Sequence, residues 1–189
     1  CMISQSVDIA PAVSIFVESA ASAATHANQI FHRGVAIASV LHAIQASGRS
    51  VSLTLVVTAS NAGVLNVLFP RVFPSGPDLA HHVTWIELIE PGEPINPGRI
   101  AFWLAHPGAF RRCIFRYMEQ QLPAIRETIG IKVNGGYGMP GDCPQNLLPQ
   151  GAVYIPRVNP SDEFTSPKIA LEALLPIFKA SGVQIELTR

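Results

Sequence analysis

The sequence predicts an α/β protein, a three-layer sandwich with a mostly parallel central sheet. Within residues 13–58, a short apolar run, a long segment with helical spacing and a run rich in β-branched residues follow one another. A second helix–glycine–strand pattern covers residues 169–187. Connections this short are typical of right-handed crossovers between parallel strands that are covered on both faces.

The first of these units gives the expected core. Val13–Val17 predicts a strand and Val51–Val57 the next one. The helix between them has Thr25 or Asn28 as its expected cap and stops at Gly48. Its apolar or small positions have helical spacing: Ile30, Gly34, Ile37, Ala38, Leu41 and Ile44. We expect Gly34 to allow close packing of this helix against the sheet, which would offset its low helix propensity.

The middle of the chain predicts one strand and two helices. Residues 82–89 alternate as a half-buried strand does. Asn96 and Pro97 are a favoured start for a helix, which should stop near His106-Pro107. A second helix is expected over residues 108–121. Its predicted apolar side consists of Phe110, Cys113, Ile114, Tyr117 and Met118.

The last part predicts a strand at 152–155, a helix that begins after Thr165 or Ser166, and a final strand at 183–187. Pro176 should kink that helix. We therefore expect residues 1–12 to be an opening segment or an edge strand. Residues 13–189 should form a single domain with irregular insertions near 60–80 and 130–150.

Composition limits the classes of partner. The 13 basic and 13 acidic residues cancel, so global charge does not favour nucleic acid or an anionic membrane. No run of 18 apolar residues predicts a membrane span. Charged residues make up only 14% of the chain, which favours either a large core or permanent contact with protein partners or further copies of the chain. Three unpatterned cysteines fit a reducing compartment.

Ligands of parallel α/β sheets bind at the carboxyl ends of the strands, which here are residues 18–22, 58–61 and 157–163. The loop Glu18-Ser19-Ala20-Ala21-Ser22 resembles a degenerate metal-ion-dependent adhesion loop of the von Willebrand factor A fold, which has an Asp and two serines at spacing two. The resemblance implies a Mg²⁺ site at Glu18 and Ser22, with Thr58 and Asp162 as further oxygen ligands. The alternative is a small-residue loop that binds no cofactor. A Rossmann-like sheet is the other architecture that this order of elements predicts.

Other residues suggest different chemistry. Cys1 would be a terminal nucleophile if the chain is processed there, and truncation or cleavage by another protease is the alternative. His106 lies near Arg111 and Arg112, so acid–base chemistry beside an anion-binding pair is one reading and a solvated basic edge is the other. Together with Arg116, Arg111 and Arg112 would bind nucleic acid if the chain is a replication protein. Cys143, after Asp142, is a further candidate thiol.

Several short motifs together resemble a family of uncharacterised proteins encoded by tailed phages and prophages. The matching positions are Cys1-Met2, Arg33-Gly34, Gly48, His106-Pro107, Arg111-Arg112 and Gly136-Tyr137-Gly138. In that family the Cys-Met segment lies inside a longer chain. The resemblance therefore implies the carboxyl-terminal part of a larger protein, located in a virion or in the host cytoplasm, and it implies no catalytic residue.

From these patterns we predict a non-enzymatic, phage-related binding or assembly module that lacks a cofactor. The expected interfaces are the helix at 108–121 and the loop at 135–150. An enzyme that uses Cys1 or a strand-end metal or phosphate site is the alternative. A nucleic-acid-binding protein is a further alternative.

Overall fold

The structure is a computed structural model that describes residues 12–22, 24–60, 81–128, 139–162 and 164–185. Within these ranges a mixed sheet and several helices confirm the predicted α/β class. Cys1, nearly all of the opening segment, nearly all of the first expected insertion and residues 130–138 of the second lie outside the described residues. The Gly136-Tyr137-Gly138 motif lies outside them as well.

The sheet is built around its first strand. Its strands are β1 (Val13–Glu18), β2 (Val51–Ser60), β3 (His81–Ile89), β4 (Met139–Pro140) and β5 (Val153–Ile155). The order is β3-β2-β1-β5, with β1 parallel to both of its neighbours. β3 runs antiparallel to β2, and the short β4 pairs antiparallel with the end of β2. The carboxyl ends of β1, β2 and β5 therefore meet at one edge.

The helices are α1 (Ala27–Ala46), α2 (Pro97–Ile100), α3 (Phe115–Glu119), α4 (Pro123–Thr128) and α5 (Pro167–Ala180). Two π-helical stretches, Ala101–Ala105 and Ala109–Ile114, and a 3₁₀ turn, Gln145–Leu147, complete the described elements. The helix expected from Asn96 to His106 is confirmed in position, although its second half is π-helical. None of the described helices is both long and apolar enough to cross a bilayer.

Two of the expected helix caps are confirmed. Asn96 Oδ1 accepts the Arg99 N–H at 3.0 Å, and Ser166 Oγ accepts the Ile169 N–H at 3.3 Å. The expected cap of α1 is wrong, because His26 rather than Thr25 or Asn28 takes that position. The Gln29 side chain caps the N-terminus of α1 by accepting a hydrogen bond from the His26 N–H at 2.8 Å.

The helix predicted over residues 108–121 is not a uniform α-helix. A π turn holds more residues than an α turn, so the apolar face rotates along this segment. Ala109, Ile114 and Met118 are buried, whereas Cys113 and Tyr117, which were expected on the apolar side, are exposed. The predicted face was therefore partly wrong.

The predicted last strand is not present at 183–185, the only part of it that the structure describes. The chain instead folds back onto the end of α5, where the Val183 N–H donates to the Phe178 carbonyl at 2.9 Å. Val183 is buried at this position. This helix-terminal bond takes up the backbone donor that a strand ladder would need.

Side chains from opposite faces of the sheet enter two separate cores, because successive strand residues point to opposite sides. Ile15, Val17 and Leu55 pack in a large core with residues of α1, α5 and the π-helical stretches. Phe16 and Val56 lie in a small core with Cys143. The two long helices thus share one face, and part of the segment 139–149 lies over the other.

Gly34 permits the closest approach between α1 and a neighbouring element. A Cβ atom at this position would lie 2.5 Å from the Leu104 carbonyl oxygen and 2.7 Å from the Ala105 Cα. The tight packing that the sequence predicts is therefore present. It forms against the π-helical stretch Ala101–Ala105 rather than against the sheet.

Candidate functional site

The carboxyl ends of the three parallel strands form the candidate site. β1 ends at Glu18, and Thr58 lies near the end of β2. Beyond β1 and β5, Ala21 and Val158 form an isolated parallel bridge that holds the two following loops together. This edge is where ligands bind in sheets of this kind.

Glu18 is the central acidic group of this edge, and solvent reaches none of it. Its Oε1 accepts the N–H groups of Ala20 and Thr58 at 3.1 and 3.0 Å. Its Oε2 accepts the Thr58 hydroxyl at 2.6 Å. Burial raises the pKa of Glu18 from 4.5 to about 7, although the bonds from Thr58 and Ala20 act in the opposite direction.

Arg33 extends from α1 to the ends of β1 and β5 and is only 6% exposed. Its Nη2 donates to the main-chain oxygens of Glu18 at 3.0 Å and Pro156 at 2.6 Å, with a longer contact of 3.4 Å to Ile155. Burial lowers the pKa of Arg33 to about 10, so the guanidinium stays charged at neutral pH. One side chain therefore joins the helix to two strands.

A second polar group lies beside Glu18, on the face of the sheet opposite to Arg33. The Tyr154 hydroxyl accepts the Cys143 N–H at 2.8 Å and is 3.5 Å from Asp142 Oδ1. Arg157 pairs with Asp142 at 3.6 Å and donates to the Pro140 carbonyl at 2.7 Å. Burial, followed by the charge of Glu18, raises the pKa of the Cys143 thiol. A buried thiol held protonated in this way is a poor nucleophile.

The four residues predicted to hold Mg²⁺ are only partly brought together. Glu18 and Thr58 are in contact, whereas Ser22 Oγ accepts the Ala24 N–H within its own loop and Asp162 Oδ2 accepts the Asn159 N–H. No group of three or more His, Cys, Asp or Glu residues with metal-binding geometry occurs in the described ranges. The buried Glu18 carboxyl already uses both oxygens in hydrogen bonds, so this arrangement does not fit a metal ligand set.

The residues predicted for acid–base chemistry and anion binding lie on a different part of the surface. His106 is exposed after the first π-helical stretch; its Nδ1 accepts the Gly108 N–H at 3.1 Å, and its ring stacks on Phe102. Arg111 and Arg112 are exposed on the second π-helical stretch. Arg116 pairs with Glu119 at 3.3 Å. No described hydrogen bond or ion pair connects His106 to this basic edge.

The site contains residues that the sequence analysis did not identify as functional. Arg33 makes three hydrogen bonds there and Tyr154 makes two, and Gln29 Nε2 donates to the Asp162 carbonyl at 2.6 Å. Arg33 had one visible signal, since it directly precedes the closely packed Gly34 and is the single Lys, Arg, Asp or Glu residue in α1. Tyr154 had no such signal, because a strand tyrosine is ordinarily a core residue.

Comparison with protein-family models matches nearly the whole chain. A protein-family model described as "Domain of unknown function (DUF7192)" matches residues 1–185. No curated protein and no solved structure matches the chain.

Proposed function

The chain belongs to the DUF7192 family, and from its geometry we propose that it is a non-enzymatic binding or assembly module. The partner we propose for its apolar surface is a second copy of the chain. The resemblance to phage-encoded proteins supports a viral setting, with the domain as part of a larger protein or of a virion complex.

An exposed apolar groove is the observation that carries this proposal. The groove lies between α1 and residues 95–105 and has a volume of about 220 Å³. Phe31 at its rim is 49% exposed, and Phe102 in the adjacent π-helical stretch is 41% exposed. Ser39 and His42 are the polar residues of its lining, and the others besides Phe31 are apolar or small: Gly34, Val35, Ala38, Ile95, Pro97, Ile100, Ala101 and Ala105. Contiguous apolar surface of this kind is typical of protein–protein contact.

The charge of the chain favours self-association through such a groove. The formal net charge is zero and charged residues are only 14% of the sequence. Copies of a neutral protein do not repel one another over distance, so an apolar contact between them meets no electrostatic barrier. We therefore assign the groove to contact between copies.

The carboxyl edge supports a binding module over an enzyme. Glu18 and Arg33 are buried, and both carboxyl oxygens of Glu18 and the Nη2 of Arg33 make hydrogen bonds to the sheet and its loops. Cys143 is buried, and its pKa is raised. Catalytic groups need access to substrate and a protonation state suited to the reaction. These groups fit a structural role better.

We also propose that the fold is of the von Willebrand A-like or Rossmann-like kind. The support is the central β1, parallel to both neighbours, followed by a loop and a long helix. The contact between Glu18 and Thr58 is a second observation that favours the von Willebrand A-like fold. Because both oxygens of the Glu18 carboxyl are already hydrogen-bonded, we propose that such a domain would bind protein without a metal ion.

Light scattering over a range of protein concentrations tests the assembly proposal. We expect the purified chain to self-associate, and we expect Phe31→Glu to weaken this at least tenfold by placing a charge in the groove. The matched control is Leu122→Glu, which changes an exposed side chain outside the groove. A chain that stays monomeric up to roughly 1 mM would overturn the proposal, as would equal weakening by both variants.

A further inference from the structure

The outward side of α1 lacks the charged residues that a solvated helix normally has. With histidine counted as neutral, Arg33 is the one residue of α1 with a formal charge, and it is buried. The neighbouring helix α5 has Lys168, Glu172 and Lys179, all of them exposed. A surface helix usually places charged and polar residues on the side opposite the core, as α5 does. The composition of α1 is therefore that of a helix whose outer side is covered.

Four residues form a straight stripe on this outward side of α1: Phe31, Val35, Ala38 and His42. They follow one another at spacings of four, three and four residues, which is the spacing of the seam between two packed helices. Phe31 and His42 are exposed, whereas Val35 and Ala38 are half-buried. All four also line the apolar groove. The stripe thus extends along the groove for roughly 16 Å.

The stripe is symmetric about its own centre, which lies between residues 36 and 37 and coincides with the middle of α1. Val35 and Ala38 are equally far from that centre, and so are Phe31 and His42. Rings therefore occupy both ends and smaller side chains the middle. A two-fold contact between identical chains needs a surface that is complementary to itself. A stripe with this symmetry meets that requirement when a second copy lies on it in the opposite direction.

We propose that two copies of the chain associate through an antiparallel pair of α1 helices that cross between residues 36 and 37. Phe31 of each copy then lies opposite His42 of the other, and Val35 lies opposite Ala38. The smaller central side chains let the two helix axes approach closely. Residues 95–105 form the adjoining apolar wall of the groove beside the crossing. This inference rests on the proposed self-association and names the surface that carries it.

The antiparallel direction is favoured over the parallel one by the ends of the stripe. A parallel pair would place His42 opposite His42, which brings like charges together whenever both rings are protonated. The antiparallel pair separates these two rings by roughly 16 Å along the helix and places each against an aromatic ring. The helix dipoles also oppose one another in the antiparallel pair.

Spin labels at the two ends of α1 test the direction, because Asn28 and Ala46 are exposed and lie outside the stripe. Asn28→Cys and Ala46→Cys are made in a background of Cys1→Ser and Cys113→Ser, with the buried Cys143 left unlabelled. For each variant alone we expect a distance between the two copies of roughly 25 to 30 Å. An equal mixture of the two variants should add a distance below about 15 Å.

The other outcomes of this measurement overturn the proposal. A parallel pair would give the short distance in each variant alone and the long one in the mixture. Long distances in all three samples would place the contact elsewhere on the chain. Light scattering on the same samples distinguishes the two proposals: a monomer overturns self-association itself, whereas a dimer without the expected distances overturns the α1 contact and leaves self-association standing.

Ala38→Glu provides a second test, because it places two carboxylates close to the two-fold axis. We expect dimerisation to weaken at least about tenfold. Ala173→Glu makes the same change at an exposed position of α5 and should leave the dissociation constant within about twofold of that of the parent. Circular dichroism checks that both variants fold. Equal dimerisation of a folded Ala38→Glu variant and the parent protein would contradict the proposed contact.

Discussion

Thr58 Oγ1 donates a 2.6 Å hydrogen bond to Glu18 Oε2, a carboxyl oxygen that lies out of reach of solvent. This bond joins the ends of two parallel strands through their side chains. The N–H of Thr58 donates to the other oxygen of the same carboxyl at 3.0 Å. One residue of β2 thus supplies two of the three donors that hold Glu18.

The free energy of unfolding should depend on pH through Glu18. Its folded pKa, about 7, exceeds the ordinary value of 4.5, so the folded state binds the proton more tightly. The resulting stabilisation is fully present below pH 4.5 and is lost as the pH rises through 7. The loss should reach at most about 3 kcal/mol. Urea unfolding between pH 4 and 8 measures it.

Glu18→Gln is the variant that isolates this effect, since it keeps the shape without titrating. We expect its unfolding free energy to lack the decline between pH 4.5 and 7. His82 titrates in an overlapping range with opposite sign, because burial lowers its pKa and stability is lost as the pH falls. The comparison is therefore made in a His82→Gln background. A decline that persists in Glu18→Gln would contradict the assignment.

Thr58→Val should raise the pKa of Glu18 above its value in the parent protein. The substitution conserves shape and removes the hydroxyl that stabilises the ionised carboxyl. Carbon-13 NMR of the glutamate carboxyl groups measures the change, with Glu18→Gln identifying the resonance. Thr54→Val, on the same strand face but outside this hydrogen-bond set, is the control and should leave that pKa unchanged. An unchanged or lowered pKa in Thr58→Val would show that the hydroxyl is not the dominant stabilising donor.

Arg33→Met should destabilise the fold by about 3 kcal/mol or more. The variant leaves the buried carbonyl oxygen of Glu18 and the partly buried one of Pro156 without this donor at the ends of two strands. Denaturant unfolding compares it with Arg112→Met, which removes an exposed arginine and should change stability by less than about 0.5 kcal/mol. Similar losses in both variants would count against a structural role for Arg33.

Gly34→Ala should lower stability by about 1 to 2 kcal/mol, although alanine is the better helix former. The clash of its Cβ with the Leu104 carbonyl at 2.5 Å outweighs a gain of about 1 kcal/mol in helix propensity. Gly98→Ala in α2 is the control, because its Cβ would meet only Asn96 Oδ1 at 3.4 Å. Thermal unfolding should show a lower midpoint for Gly34→Ala and a higher midpoint for Gly98→Ala than for the parent protein. A stabilised Gly34→Ala protein would contradict the close packing described here.

The sequence predicted correctly those elements that are marked by alternation or by capping residues within a few positions of one another. The alternation of residues 82–89 corresponds to β3, and the Asn96-Pro97 start corresponds to α2. Residues 108–121 were less predictable, since a π turn depends on tertiary contacts and leaves no periodic signal in the sequence. The prediction of a final strand was wrong for a related reason. A tertiary contact decides this segment, because Val183 packs into the core and its N–H bonds to the end of α5.

The candidate site was predictable only in part. Glu18 and Thr58 were both expected at strand ends, and the structure brings them together. Ser22 and Asp162 make bonds within their own loops, which sequence spacing does not reveal. Arg33 reaches residues more than 100 positions away in the chain, such as Pro156, and no local pattern records such a contact.

The bonds of Arg33 to main-chain oxygens have a consequence for how this family can vary in sequence. A carbonyl acceptor is present whatever the side chain, so substitutions at Ile155 or Pro156 preserve the contact when the backbone path is kept. The donor has less freedom, because it must extend from α1 to the ends of two strands and donate to the oxygens of both Glu18 and Pro156. Relatives should therefore differ among the acceptor positions while keeping arginine at the position of Arg33.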